Sequence, residues 1–130
     1  MKDVDAISAD VVDSAIHIHR ELGPGLLESV YETVLAGALS RMGYKVDRQL
    51  PVDILFDGMR FGAAFRADIV VEGSLVIEIK SVEKLSGAHA KQLLTYLRLM
   101  DRPLGLLLNF SGETMKEGIR RLVNNHSPSG

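Results

Sequence analysis

The chain has 130 residues, of which 46% are hydrophobic and 25% are charged, and its formal net charge at pH 7 is −2. The absence of cysteine excludes a disulfide framework and a thiolate zinc site. No apolar run approaches the ~20 residues of a membrane span and the N-terminus is unlike a signal peptide, so a cytoplasmic protein without a membrane partner is expected. The charge balance argues against strong nonspecific binding of nucleic acid, which draws its affinity from neutralised phosphates, but leaves room for a local basic cleft.

The first predicted element is a helix. From Asp10, a candidate N-cap, apolar residues recur near helical spacing as far as about Leu22. Residues 1–9 are polar and are expected to be loosely held. His17 and His19 are two positions apart and therefore point to different sides of this helix. A shared metal site is not expected, and both histidines are assigned surface or packing roles.

A second helix is predicted from about Leu26 to Met42. Gly23-Pro24-Gly25 separates it from the first helix, and Gly43 is its natural C-terminal stop. Glu28 lies in its first turn, where a carboxylate interacts favourably with the helix dipole, so a structural role would explain it. Glu28 and Tyr31 are three positions apart and share a face, which favours a second interpretation in which both project toward a cleft.

The middle of the chain is predicted to be an antiparallel meander. Strand patterns cover residues 44–50 and 52–56, and Pro51 between them marks a strand junction or an edge. Asp57-Gly58 is a strong hairpin turn, after which the chain continues through residues 59–65 toward a further hairpin.

That further hairpin is predicted from Arg66 to Lys80, where branched aliphatic residues flank a Gly-centred turn of three residues. If Val71 lies opposite Leu75, the same register sets Asp68 directly across from Glu78. One face of the hairpin is wholly apolar and is assigned to the core; it consists of Ala67, Ile69, Val71, Leu75, Ile77 and Ile79.

The opposite face of the hairpin carries the charges, and it consists of Arg66, Asp68, Val70, Val76, Glu78 and Lys80. Like charges on Asp68 and Glu78 at cross-strand distance would destabilise a sheet. A divalent cation between them would offset this cost, because Mg²⁺ takes one or two carboxylates together with waters and phosphate oxygens. Lys80 would then lie beside the metal as a point charge for a phosphate or an attacking water.

A simpler interpretation of this charged face stays open. Arg66 and Lys80 could neutralise the two acids on a solvated strand face, and the spacing of the acids and the lysine is weak evidence by itself. Val70 and Val76 on the same face favour a helix that partly covers it, with the charges lining a cleft.

The last third of the chain predicts a helix, a buried strand and one further element. The helix runs from about Gly87 or Ala88 to Met100. The apolar run from Leu104 to Phe110 predicts a strand that is buried on both faces and lies parallel to its neighbour after a helical crossover. Residues 119–123 form a strand or a helix, and the chain from His126 onward is tail.

Several motifs, in the expected order over roughly residues 10–124, resemble one known family. The signature of the GxxExxY protein family is matched by Gly25-Leu26-Leu27-Glu28-Ser29-Val30-Tyr31. That family resembles the PD-(D/E)XK nuclease superfamily, whose pattern of an Asp followed by E-x-K on the next strand is matched by Asp68, Glu78 and Lys80. Gln92 matches a Gln that often lies on the following helix, with Tyr96 one turn later. Ala67 departs from the pattern, which commonly has Pro before the Asp.

The resemblance implies an α/β (mixed α+β) fold with a restriction-endonuclease-like core, a central mixed β-sheet flanked by helices. It implies one domain over residues 1–130, with its core at about 10–124, a flexible N-terminus and a C-terminal tail. The implied catalytic residues are Asp68, Glu78, Lys80, Glu28 and Gln92. Asp68, Glu78 and the backbone carbonyl of Ile79 would bind Mg²⁺ or Mn²⁺, and Tyr31 and Tyr96 are candidate substrate contacts.

Three functional hypotheses follow. The first is a metal-dependent nuclease that hydrolyses phosphodiester bonds of DNA or RNA, which the joint presence of Asp68, Glu78 and Lys80 favours. The second is a catalytically weak or inactive module on a nuclease fold that binds nucleic acid or protein, which the negative net charge would fit. The third is a structural surface on which Glu28 caps a helix and Asp68 pairs with Arg66 or Lys80. The choice between DNA and RNA, and whether the chain forms a homodimer, stay open.

Overall fold

The computed structural model of this chain describes residues 3–126. Its elements are α1 (Val4–Leu22), α2 (Glu28–Arg41), β1 (Val46–Phe56), β2 (Met59–Val71), β3 (Leu75–Lys80), α3 (Gly87–Met100), β4 (Leu104–Asn109), a short 3-10 helix (Lys116–Gly118) and β5 (Ile119–Val123). In that part of the chain, no helix is long and apolar enough to cross a membrane.

The five strands form one mixed sheet in the order β1-β2-β3-β4-β5. β1, β2 and β3 are antiparallel neighbours, β4 runs parallel to β3, and β5 returns antiparallel to β4. α3 connects β3 to β4, because parallel neighbours need a crossover rather than a tight turn. The predicted mixed sheet, its antiparallel meander and its buried parallel strand are therefore confirmed.

Helices cover both faces of the sheet. α1 and α2 cover one face, where the buried residues of β2, β3 and β4 are Ile69, Val71, Leu75, Ile77, Ile79, Leu104, Leu106 and Leu108. On the other face, Leu93 and Leu97 of α3 pack with Val70, Val76 and Leu107. The helix that was predicted to cover part of the charged hairpin face is therefore α3.

The hairpin of β2 and β3 has the predicted register over the three pairs nearest its turn. These pairs are Val71 with Leu75, Val70 with Val76, and Ile69 with Ile77. One residue of the predicted apolar face is on the other side of the sheet, because Ala67 packs in the α3 cluster with Val70. The alternation changes at Asp68, where the pairing of β1 with β2 omits Gln49 and Asp68 but keeps the same register on either side.

The start of the first helix was predicted wrongly. α1 begins at Val4, and its N-cap is Asp3, whose carboxylate accepts the N–H of Ala6 at 2.8 Å. Ile7 is buried in the core, so residues 4–9 are not loosely held. Both Asp3 and Asp10 precede apolar positions, and the buried stripe that Ile7 begins decides in favour of the earlier aspartate.

The two histidines of α1 lie apart, as predicted. His17 is exposed, whereas His19 is buried with Nε2 2.8 Å from the carbonyl oxygen of Gly112. At the other end of the described chain, Nε2 of His126 lies 3.1 Å from Oδ1 of Asp5, so the part of the predicted tail that is described packs on α1. The remaining tail residues, 127–130, lie outside the described residues.

The two strands predicted on either side of Pro51 are one strand, β1. Pro51 is tolerated inside it because β1 is an edge strand of the sheet. Asp57 and Gly58 make the predicted turn, with φ of 50° and 74°, the left-handed conformation that both central residues of a type I′ turn adopt. Residues 119–123, for which strand and helix were both open, form the edge strand β5.

Candidate active site

Strands β2 and β3 separate directly beyond the pair of Ile69 and Ile77, and Asp68 and Glu78 lie at this opening. At this opening, hydrogen bonds from backbone N–H groups to side chains replace the backbone hydrogen bonds between the strands. The N–H of Asp68 donates to Oε2 of Glu78 at 2.8 Å, and the N–H of Ile79 donates to Oδ2 of Asp68 at 2.8 Å. The two carboxylates are thus held close to each other by crossed hydrogen bonds rather than by a continuation of the ladder.

Both of these carboxyl groups resist ionisation. Glu78 is 5% exposed, and its burial, followed by the charge of Asp68, raises its pKa to about 8. Burial also raises the pKa of Asp68, although the hydrogen bond from Ile79 and the charge of Lys80 act in the opposite direction. Without a cation the pair therefore retains a proton near neutral pH, and a positive ligand between the two groups would release it.

The donors at this opening fit a hard divalent cation. In residues 3–126, no group of three or more His, Cys, Asp or Glu side chains is arranged to hold a metal ion. Asp68 and Glu78 offer two carboxylates, and each uses one oxygen to accept a backbone N–H. The second oxygen of Asp68 also accepts a long hydrogen bond from Gln49 at 3.3 Å, and a carboxylate oxygen has a further lone pair for a ligand. Two carboxylates completed by a backbone carbonyl, waters and phosphate oxygens are a donor set that Mg²⁺ and Mn²⁺ accept.

Lys80 ends β3 two residues beyond Glu78. Its charge lowers the pKa of both Asp68 and Glu78, against the stronger effect of burial. Its backbone carbonyl accepts the N–H of Phe110 at 3.0 Å, which fixes the end of β3 to the end of β4. The backbone beneath the lysine is therefore rigid, while its side chain is half-buried.

Glu28 lies beside the end of β3. Its Oε2 accepts the N–H of Ser81 at 2.9 Å, and the Ser81 hydroxyl donates to the carbonyl of Leu26 at 3.3 Å. These contacts fasten the start of α2 to the residue that follows Lys80. Glu28 is exposed, so a carboxylate oxygen remains available to solvent at this edge.

Tyr31 does not line the cleft, and its predicted role as a substrate contact is corrected. Its ring is fully buried and stacks on Phe110 with the ring centroids 4.3 Å apart. Its hydroxyl donates to the carbonyl of Gly23 at 2.5 Å and accepts the N–H of Leu26 at 3.2 Å. The tyrosine therefore closes the loop between α1 and α2 instead of facing a ligand.

The structure separates the two residues predicted on α3. Tyr96 is half-buried and stacks on Phe65 of β2, with the ring centroids 3.9 Å apart. Burial raises the pKa of its hydroxyl first, and the charges of Glu78 and Asp68 raise it further, so Tyr96 forms a wall near the acidic pair. Gln92, one turn earlier, is exposed, and its side chain makes no hydrogen bond to the described residues.

A second buried acid besides Glu78 was not predicted from the sequence. Glu32 is 6% exposed, and its charge raises the pKa of both Asp68 and Glu78. Its carboxylate accepts hydrogen bonds from the side chains of Arg48 and Gln49 on β1. Its position four residues after Glu28, on the same side of the helix, was the available signal, but the partners on β1 are distant in sequence.

Asn109 is a second residue that the sequence analysis did not single out, because it ends an otherwise apolar strand. Its side chain accepts the N–H of Val82 at 3.0 Å and donates to the Val82 carbonyl at 2.9 Å. This pair of hydrogen bonds holds the loop that follows Lys80. Asn109 is buried, so the loop is anchored from inside the protein.

Comparison with known proteins agrees with this architecture. The sequence model of the PD-(D/E)XK nuclease superfamily matches residues 5–122. A solved structure titled "Crystal structure of SSO0001" is similar with a TM-score of 0.49 and 19% sequence identity, over 92% of this chain and 66% of that chain. No curated protein matches the chain. Because the superfamily match extends over nearly all of the described residues, this chain belongs to the PD-(D/E)XK nuclease superfamily.

Proposed function

We propose that this chain is a nuclease that uses Mg²⁺ or Mn²⁺ to hydrolyse phosphodiester bonds of DNA or RNA, and that it is a GxxExxY member of its superfamily. The pair of the buried Glu78 and the partly buried Asp68 beside Lys80 carries the proposal. A purely structural surface does not account for this pair, because neither acid is in a salt bridge with Lys80 or Arg66 among the described residues. A buried acid and a partly buried acid without such partners oppose folding in their charged forms unless a ligand compensates for them.

A divalent cation at such a pair would activate a water and stabilise the negative charge that develops on the phosphate. Asp68, Glu78 and the carbonyl of Ile79 would hold it. Lys80 orients the attacking water or offsets charge on the phosphate, as a fixed cation does in a site that excludes solvent. At the rim, Glu28 accepts a hydrogen bond from a water, Gln92 donates one to a phosphate oxygen, and Tyr96 packs against the substrate.

Cleavage of plasmid, single-stranded DNA and RNA, each with Mg²⁺, with Mn²⁺ and with EDTA, tests the proposal. We expect cleavage of at least one substrate by the wild type with a metal and none with EDTA. Asp68→Asn, Glu78→Gln and Lys80→Ala should each lower the rate at least about a hundredfold, the scale of losing one preorganised electrostatic group.

Exposed residues of the same types supply matched controls. Glu21→Gln on α1 and Lys91→Ala on α3 remove a carboxylate and an ammonium at exposed positions outside the acidic pair, and both should cleave like the wild type. Equal cleavage by the wild type and Lys80→Ala would identify a contaminating nuclease. Absence of cleavage of all three substrates with either metal would overturn the proposal.

A further inference from the structure

A polar network joins α2 to the acidic pair through β1. Oε2 of Glu32 accepts two hydrogen bonds from the guanidinium of Arg48, at 3.1 and 2.9 Å, and Oε1 accepts Nε2 of Gln49 at 2.6 Å. The same Nε2 of Gln49 lies 3.3 Å from Oδ1 of Asp68. A primary amide nitrogen has two hydrogens to donate, so this one amide serves two carboxylates.

The backbone of Gln49 has a conformation that is unusual within a strand. Its φ is 49°, in the left-handed region that residues other than Gly, Asn and Asp rarely adopt inside a strand. The pairing of β1 with β2 runs from Arg48 opposite Ile69 to Leu50 opposite Ala67 and skips the position of Gln49 and Asp68. Irregularities of this kind redirect a side chain, and they concentrate next to functional sites.

The network is anchored on its far side. Glu32 is buried, and the two donors of Arg48 hold its carboxylate in one orientation, while Nη2 of Arg48 also donates to Oγ1 of Thr33 at 2.9 Å. A donor between two carboxylates reduces their repulsion, so the amide both separates Glu32 from Asp68 and holds them near each other. On the other side of Asp68, Oδ2 is fixed by the N–H of Ile79.

We propose that Gln49 is the positioning residue of the acidic pair, and that the buried Glu32 carboxylate is the anchor that aims its amide at Asp68. With Oδ2 held by Ile79 and Oδ1 held by Gln49, the plane of the Asp68 carboxylate is set before a cation arrives. Partners that orient a metal-binding side chain typically change metal affinity by about ten- to a hundredfold when they are removed. The inference rests on the proposed function, since it assigns Gln49 to the same site.

The variant Gln49→Asn separates positioning from backbone strain. Asparagine tolerates the left-handed conformation, but its side chain is one methylene too short to span Glu32 and Asp68. Arg60→Ala is the matched control on the same hairpin, because Arg60 of β2 forms its ion pair with Asp53 of β1 toward the turn end. It removes a polar contact between the same two strands without touching the acidic pair.

Calorimetric titration with Mn²⁺ alone is the first measurement. We expect Gln49→Asn to bind Mn²⁺ about tenfold more weakly than the wild type, and Arg60→Ala to bind it equally well. In cleavage assays at saturating metal, Gln49→Asn should lower kcat and leave the KM for nucleic acid unchanged, because the amide holds Asp68 and does not contact the substrate. Equal Mn²⁺ affinity and equal kcat in Gln49→Asn and the wild type would overturn the inference while leaving the proposed function intact.

A wild type that binds no Mn²⁺ would overturn the proposed function. In that case, nuclear magnetic resonance of the metal-free protein still tests the inference about Gln49. The two side-chain amide protons of Gln49 should exchange slowly with solvent in the wild type, and the exchange of one of them should accelerate in Asp68→Ala. If both protons exchange like those of the exposed Gln92, the bridge does not exist and the inference is wrong.

Discussion

Glu78 is an acid that the fold removes from water, and none of residues 3–126 gives it a cationic partner at salt-bridge distance. Its pKa is raised from 4.5 to about 8, so between these two pH values the native state binds more protons than the unfolded state. The free energy of unfolding then falls as pH rises through this window, by up to about 1.4 kcal/mol per pH unit. The raised pKa of Asp68 also makes the free energy of unfolding fall as pH rises.

Glu78→Gln should therefore flatten the pH dependence of stability. Urea unfolding in EDTA between pH 4.5 and 8 should show the wild type losing stability toward the upper end and the variant losing much less, so that the variant is the more stable protein at neutral pH. The exposed Glu21→Gln should follow the wild type curve. A Glu78→Gln protein that is less stable than the wild type at pH 8 would mean that Glu78 is held by a favourable charge contact.

Tyr31→Phe distinguishes a structural tyrosine from a substrate contact. The change leaves the Gly23 carbonyl and the Leu26 N–H without their partner beneath the α1–α2 loop. We expect the free energy of unfolding to fall by about 1–3 kcal/mol, the cost of leaving such groups unpaired. Thermal unfolding measures this loss. A variant of unchanged stability whose KM for nucleic acid rises would restore Tyr31 to the substrate site.

Within the candidate site, the sequence predicts the positions of those residues that lie close together along one strand or one hairpin. Glu78 and Lys80 lie on one strand, and the hairpin turn brings Asp68 near them, although the ladder ends at Ile69 and Ile77 and does not include the predicted direct pair of Asp68 and Glu78. The catalytic roles of these residues stay predictions. Glu32 and Gln49 were not predictable, because their contact joins α2 to β1 and depends on a left-handed residue within a strand. Neither residue type nor spacing encodes such a kink.

For whole elements, the sequence predicts the kind of element better than its ends. α3 was predicted with nearly the observed bounds and the turn of the central hairpin at the observed place, since helical periodicity and a Gly-centred turn are strong local signals. The strand before that turn begins at Met59, ahead of the predicted start of the hairpin at Arg66. The start of α1 was missed because two aspartates could each act as its N-cap. β1 was divided at Pro51, although an edge strand tolerates proline.

Two glycines on different elements give opposite predictions. In Gly118→Ala, the new Cβ would lie 2.0 Å from the backbone oxygen of Asn109, the residue that anchors the loop after Lys80. We expect a loss of about 1–3 kcal/mol from this overpacking. In Gly37→Ala, in the exposed middle of α2, the Cβ meets nothing within 4 Å, and the higher helix propensity should stabilise the protein by up to about 1 kcal/mol. Urea unfolding measures whether each variant loses or gains free energy of unfolding. Equal changes in the two variants would mean that the 3-10 helix shifts to accommodate the new Cβ without a cost in stability.

At the scale of the whole molecule, the sheet lies between two hydrophobic clusters, and the acidic pair lies at the opening between β2 and β3. α1 and α2 pack on one face and α3 packs on the other, and the acidic pair interacts with charges or rings from both sides, Glu32 from α2 and Tyr96 from α3. A ligand bound at this opening is therefore coupled to the packing of the entire domain. Its binding should be visible in global unfolding, not only in local signals.

Millimolar Mg²⁺ or Mn²⁺ should accordingly raise the melting temperature of the wild type. Binding to the native state alone adds about 1.4 kcal/mol to the free energy of unfolding at a tenfold excess of free metal over its dissociation constant. The gain should vanish in Asp68→Ala, which removes one of the two carboxylates, and should persist in Glu21→Gln. Sodium chloride at matched ionic strength controls for nonspecific screening of charge. A wild type whose melting temperature ignores both Mg²⁺ and Mn²⁺ would leave the buried acids without a ligand and would refute the metal site.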